Sequence, residues 1–255
     1  MMIISVANQK GGVGKTTTAL NLAFVYSQNR KVLLVDMDAQ GNATTGLGVT
    51  KNELKTTTYD VLINDASPKE AAIMVRKNLY LLPANLDLAG AEVELVNVLS
   101  RETRLKGALE PLKEDFDMII IDTPPSLGLL TVNALVSSDW VLVPIQCEFF
   151  ALEGVGQLLK TVNLVKKYLN ANLDVLGFLL TMYDRRTRLS QEVEAELRAY
   201  FRDKVFKTVI PRSTRVAEAP SYGQSILEYD KRSPAAKAYN DLVEEIQERV
   251  QKQTW

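Results

Sequence analysis

Short runs rich in Val, Ile and Leu alternate with amphipathic stretches along most of the chain, a pattern that marks βαβ units. It implies an α/β fold, a mostly parallel, twisted sheet flanked by helices on both faces. Strands are predicted at Ile3–Ala7, Val32–Asp36, Leu79–Pro83, Met118–Asp122, Trp140–Pro144, Leu173–Tyr183 and Lys207–Ile210. Helices are predicted over Thr17–Gln28, Leu88–Leu99, Ser126–Ser137, Leu152–Tyr168, Ser190–Phe201 and Pro234–Lys252. Between Gly41 and Asn78 no period is sustained. Thr44, Thr45, Thr56, Thr57 and Thr58 favour turns and caps there, so the segment reads as a surface excursion. No Pro/Gly/Ser-rich linker or internal repeat divides the chain, and residues 1–255 are expected to form one domain.

Composition supports that picture. A chain of 255 residues, 46% hydrophobic and 24% charged, matches one ordered globular α/β domain. The longest apolar runs, such as Val32–Val35 and Met118–Ile121, are only about four residues against the roughly 20 that a membrane helix needs. The first residues enter a strand pattern at once, without the basic region and cleavage site of a signal peptide, so a cytoplasmic location is expected. The absence of histidine, with Cys147 the only cysteine, removes the usual zinc sets, an internal disulfide and imidazole chemistry. A general base must be a carboxylate, lysine, tyrosine or water. The net charge of −1 is unevenly spread. Residues 185–215 hold nine Lys/Arg against four Asp/Glu, a local +5 that leaves −6 elsewhere.

Candidate chemistry begins between the first strand and first helix, at Gln9-Lys10-Gly11-Gly12-Val13-Gly14-Lys15-Thr16-Thr17. The glycines allow several N–H groups to turn inward on an anion, and the following helix adds its positive end. Lys15 can place its ammonium on the β- and γ-phosphates of a nucleotide, and the Thr16 hydroxyl can ligate Mg²⁺. Downstream, Met118–Asp122 is an apolar strand ending in a carboxylate, the Walker B arrangement in which Asp122 holds Mg²⁺ through a water. Thr123 to Gly128 follows as a segment able to sense the γ-phosphate. A second strand ends in Asp36-Met37-Asp38, where one carboxylate can support the metal's water shell and the other orient attacking water.

The string KGGVGKTT resembles the deviant Walker A family of P-loop ATPases, with Gln9 standing where an ordinary Walker A loop has its first glycine. Further along, Pro144–Gly154, Thr181–Thr187 and Ile210–Ser221 look like ParA/Soj partition ATPases, so the resemblance covers nearly the whole length. It implies that Lys10 reaches the partner's nucleotide across an ATP-dependent homodimer, that Asp38 orients the water and that Asp36 belongs to the metal region. Ala39 replaces a usual proline without removing a chemical group. It further implies an adenine-contact loop at Pro211, Arg212 and Ser213, Ser213 replacing a usual asparagine. Arg186 and Arg215 are assigned by the same resemblance to phosphates of non-specific double-stranded DNA. The resemblance supplies ATP and Mg²⁺ as cofactors, a ParB-type partner that stimulates hydrolysis, and a nucleoid-associated location.

The rival within the family is a MinD-like membrane-positioning ATPase, which needs a basic amphipathic C-terminal helix. Here Leu242, Ile246 and Val250 form one narrow stripe amid acids, a helix suited to its own domain, and Trp255 does not change that. An electron-transfer iron protein would need paired cysteines, which Cys147 alone does not provide. A DNA-binding module with a vestigial nucleotide site is disfavoured because Lys15, Thr16, Asp38 and Asp122 are all present.

Overall fold

A mostly parallel sheet with strands in the order β3-β4-β2-β5-β1-β6-β7-β8 forms the spine of the protein in a computed structural model that describes residues 1–148 and 153–253. The strands are β1 (Met2–Val6), β2 (Val32–Asp36), β3 (Ile73–Arg76), β4 (Leu79–Leu82), β5 (Met118–Asp122), β6 (Trp140–Gln146), β7 (Asp174–Tyr183) and β8 (Val205–Pro211). All pairings are parallel except β3 with β4. The α/β expectation therefore holds. The first residue expected for the helix at Leu152, the stretch 149–152 of the family-like segment and Trp255 lie outside the described residues.

Alternation along the strands sends side chains to opposite faces. Ile4, Val6, Leu34 and Ile120 pack beneath the helices Lys15–Ser27 and Pro234–Gln253, where Leu242 and Ile246 are fully buried. The C-terminal apolar stripe thus covers its own sheet. The other face carries two clusters, one built on Leu33, Val35 and Ile121 and one on Val141, Val143 and Leu180. The helix Leu129–Ser137 bridges them, giving Leu130 and Ala134 to one and Leu135 and Val136 to the other. No described helix is long and apolar enough to cross a membrane.

Strand β3 is absent from the sequence expectation. It is a four-residue edge strand whose Met74 is 64% exposed, so it has no buried face to impose alternation. The Gly41–Asn78 excursion is also more regular than expected. Thr57 and Asp60 form a reciprocal cap that starts a helix at Thr58–Ile63, and Val61 and Leu62 enter the core. The helix expected from Ser126 begins at Leu129 instead, and the one expected to reach Leu99 ends its α-turns at Glu94 and tightens through Leu95–Asn97.

Candidate nucleotide site and basic surface

Register sets the site. Asp122 ends β5 level with Val6 of β1 on one side and Asp36 of β2 on the other. The glycine loop leaves β1 immediately after that point, so loop and carboxylates gather at the carboxyl edge of the sheet.

Gly12 and Gly14 adopt φ of +73° and +85°, a left-handed geometry that only glycine takes without strain. Gly14 caps the helix Lys15–Ser27 without a side chain, leaving the first-turn N–H groups facing the loop's concavity. Neighbouring strands pin the loop. The Asn8 amide donates to the Pro144 carbonyl at 2.7 Å and accepts from the Lys10 N–H at 3.0 Å, while the Thr181 hydroxyl donates to the Val13 carbonyl at 2.9 Å. Lys15 curls back so that its ammonium donates to the Lys10 carbonyl at 3.0 Å. Burial lowers its pKa, and the charges of Asp122 and Asp38 oppose that shift.

Asp36 is fully buried and well supplied with donors. One oxygen accepts from the Thr44 N–H at 2.9 Å and hydroxyl at 2.8 Å, the other from the Asp38 N–H at 3.2 Å. Burial still pushes its pKa up to about 6 against these bonds. Asp38, half-buried, turns its carboxylate to the Gln40 N–H at 2.9 Å. Asp122 differs from both. It is fully buried, and neither carboxylate oxygen has a hydrogen bond of full geometry. Desolvation and then the Asp36 charge hold its pKa well above the usual carboxylate range, with the nearby Thr16 hydroxyl and Lys15 pulling it down only in part. A buried, unpartnered carboxylate beside a hydroxyl and a phosphate-shaped loop fits a hydrated Mg²⁺, which would supply the missing positive charge.

Lys10 has another orientation. Its ammonium lies 3.7 Å from Glu148 and is partly exposed, while its backbone carbonyl receives Lys15. Pro211 closes β8 opposite Tyr183, Arg212 donates its N–H to the Tyr183 carbonyl at 3.0 Å, and Ser213 precedes the helix Thr214–Glu218. Arg186 is exposed and bound through two nitrogens to Asp184 at 2.9 and 2.8 Å. Arg215 lies 3.6 Å from Glu218 and over the Tyr229 ring. Both arginines are at the surface, each with an internal partner.

The supports of the site were not legible as functional residues. Thr44 links Asp36 to the Ala84 N–H at 2.9 Å, and Thr58 donates to the Asp36 carbonyl at 2.9 Å. Asn8, Thr181 and Glu148 join them through contacts distant in sequence, with Pro144, Val13 and Lys10. The signal available was a cluster of threonines after a carboxylate-ended strand, which local chemistry reads as turns.

A glycine loop around a buried lysine, with a hydroxyl and an orphaned aspartate at the carboxyl edge of a parallel sheet, defines a magnesium-dependent P-loop nucleoside triphosphatase. The AAA domain family matches residues 1–175. The sporulation initiation inhibitor protein Soj of Bacillus subtilis is 54% identical over 96% of this chain and 97% of its own. The chromosome-partitioning ATPase Soj of Thermus thermophilus is 50% identical over 97% and 96%. The structure of a Mycobacterium smegmatis cobyrinic acid a,c-diamide synthase with an ATP analogue and magnesium bound superposes with a TM-score of 0.84, at 41% identity over 96% of this chain and 93% of that one. This chain belongs to the ParA/Soj family of partitioning ATPases, and it is an ATPase whose cofactors are ATP and magnesium.

Proposed function

We propose that residues 1–255 act as one nucleotide-switched domain in DNA segregation. ATP brings two copies face to face, the pair binds double-stranded DNA without sequence choice, and hydrolysis accelerated by a ParB-type partner releases both. In the cell such a protein resides in the cytoplasm on the nucleoid. The observation that carries this reading is Lys10. Its carbonyl secures Lys15 of the same loop while its side chain, 39% exposed, stays out of that loop, its ammonium 3.7 Å from the exposed Glu148 and open to a second copy.

In this reading Gly11, Gly12, Val13, Gly14 and Thr17 surround the phosphates with backbone and Lys15 bears on the β- and γ-phosphates. Thr16 and Asp122 hold Mg²⁺, which when bound neutralises phosphate charge, and Asp36 adds negative charge from behind. Asp38 orients water, and Lys10 of the opposite copy stabilises the charge that develops during transfer. Pro211, Arg212 and Ser213 receive the base, largely through backbone. Arg186 and Arg215 face DNA once they exchange their carboxylate partners for phosphate.

Binding to random-sequence duplex, titrated with salt in ATP, ADP or no nucleotide, tests the switch. Tight, salt-sensitive binding is expected with ATP only. Asp38→Ala should accumulate as an ATP-bound dimer on DNA, and a variant that stays monomeric at saturating ATP would remove Asp38 from its assigned role. DNA retention by Lys15→Ala equal to wild type would overturn the nucleotide dependence itself.

A further inference from the structure

Between Asp122 at the end of β5 and the helix Leu129–Ser137 the chain crosses the open edge of the sheet through residues 123–128, and both ends of that crossing are fastened. Upstream, the buried Thr123 hydroxyl donates to the Val6 carbonyl at 2.9 Å, and the Met37 N–H donates to the Asp122 carbonyl at 2.9 Å. Pro124 and Pro125 follow, each with a fixed φ and no N–H, so the crossing bends little and passes a displacement from one end to the other. Downstream, the Thr131 hydroxyl holds the Ser126 carbonyl at 2.6 Å.

The helix that receives this strut does not cap itself. Gly128 precedes it without a side chain, so its first N–H groups need an acceptor from elsewhere. Glu92, on the helix Leu88–Glu94, supplies one. Its two carboxylate oxygens accept from the Leu129 N–H at 3.0 Å and the Leu130 N–H at 3.3 Å. Glycine is needed at 128 for space and not for its backbone, whose φ of −78° any residue can take. A Cβ there would lie 2.5 Å from both Glu92 oxygens, so even alanine must drive the carboxylate off the amides. The Glu92 helix is also tied to the other buried carboxylate of the site. Ala84, which leads into it, donates its N–H to the Thr44 hydroxyl, and that hydroxyl donates to Asp36. Asp36 and Asp122 are neighbours in register, so Glu92 closes a ring that runs through Thr44, Ala84 and the 123–128 crossing.

We propose that Glu92 is a positioning residue for the nucleotide cycle, the latch that fixes the downstream end of the crossing so that residues 123–128 keep their place on the γ-phosphate side of the site. It acts through the Leu129 and Leu130 amides and not on the nucleotide. The proposal rests on the nucleotide-switched reading above, with 123–128 as the segment that senses the γ-phosphate. Breaking the latch should leave ADP binding intact and degrade the steps that need ATP.

The test compares wild type, Glu92→Ala, Glu92→Gln, Gly128→Ala and Glu92→Ala/Gly128→Ala. In nucleotide-free protein, hydrogen exchange at the Leu129 and Leu130 amides should accelerate in Glu92→Ala by about five- to thirtyfold, the factor that a lost helix cap corresponds to. With magnesium, ATP affinity should fall by a similar factor while ADP affinity stays at the wild-type value. Glu92→Gln keeps one acceptor oxygen and loses the charge, so it should fall between wild type and alanine. Gly128→Ala should reproduce Glu92→Ala with residue 92 intact, and the double variant should lie within about twofold of either single one, because both substitutions break the same contact. Glu92→Gln and Gly128→Ala carry the test if the alanine variant does not fold. Wild-type exchange at both amides in these variants, or effects that multiply in the double variant, would overturn the latch. Equal losses for ATP and ADP would reduce Glu92 to a support of the fold and overturn it too. A wild type with the same affinity and oligomeric state in ATP and in ADP would instead overturn the switch reading on which it stands.

Discussion

Replacing Asp122 with asparagine should make the nucleotide-free protein more stable while abolishing its response to ATP and magnesium. Asp122 is wholly buried without a full hydrogen bond, next in register to Asp36, which is also wholly buried. Asp36, despite three donors, has a pKa near 6, and about two units of upward shift correspond to roughly 3 kcal/mol of native-state cost once the group is ionised. Asp122 has the same burial and fewer partners, so desolvation and the Asp36 charge raise its pKa too, and ionising it also costs native-state stability. An asparagine amide without partners costs about 1–2 kcal/mol and an unpaired buried charge more, so the exchange should bring a net gain on the order of 1–2 kcal/mol. For a chain of this size that raises the melting temperature by about 2–8 °C.

The sign of the pH dependence follows from the direction of the shift. A carboxylate whose folded pKa lies above its unfolded value loses stability as pH rises through the folded value, because the native state binds the extra proton. The advantage of asparagine should therefore be largest at pH 8 and shrink toward pH 4 (about the unfolded value). Thermal unfolding in chelator at both pH values measures it, and adding ATP with magnesium should stabilise wild type alone, by about 2.7 kcal/mol at a hundredfold excess over Kd. An asparagine variant that melts below wild type in chelator at pH 8 would refute the orphan-charge argument. Retention of the full ligand shift would remove Asp122 from the metal site.

Thr44→Val removes the hydroxyl between Asp36 and the Ala84 N–H and leaves that buried N–H without its acceptor, so urea unfolding should report a loss of about 3 kcal/mol. An unchanged midpoint would deny Thr44 its bridging role. Lys10→Ala should eliminate ATP-dependent dimerisation in sedimentation. Glu148→Gln should tighten it by no more than about thirtyfold, since each of the two copies breaks one partly exposed pair at 3.7 Å that contributes at most about 1 kcal/mol, and weakened dimerisation in Glu148→Gln would contradict that competition.

The residues that the sequence alone could point to are those whose chemistry is local in the chain. Gly12, Gly14, Lys15 and Thr16 are contiguous, and Asp36 and Asp122 each close an apolar strand, so spacing alone points to them. Strand β3 escaped because a four-residue edge with exposed Ile73 and Met74 carries no burial pattern, although Asn78, at φ +61°, marks the hairpin turn. Arg186 and Arg215 could be placed in a basic window, but their ion pairs with Asp184 and Glu218 could not, because side-chain geometry sets them.

By itself the sequence determines the phosphate loop, the alternation of strand and helix, and the residue types that meet a nucleotide. These follow from backbone freedom at glycine and from hydrophobic period, both properties of neighbouring residues. Tertiary structure alone decides that Asp122 is orphaned while Asp36 is satisfied, because strand register sets them side by side and only Asp36 receives Thr44. It also decides that Asn8 and Thr181 hold the loop and that Arg186 and Arg215 are paired with Asp184 and Glu218. Burial and ion pairing depend on what the fold brings from distant parts of the chain, and no local pattern records that.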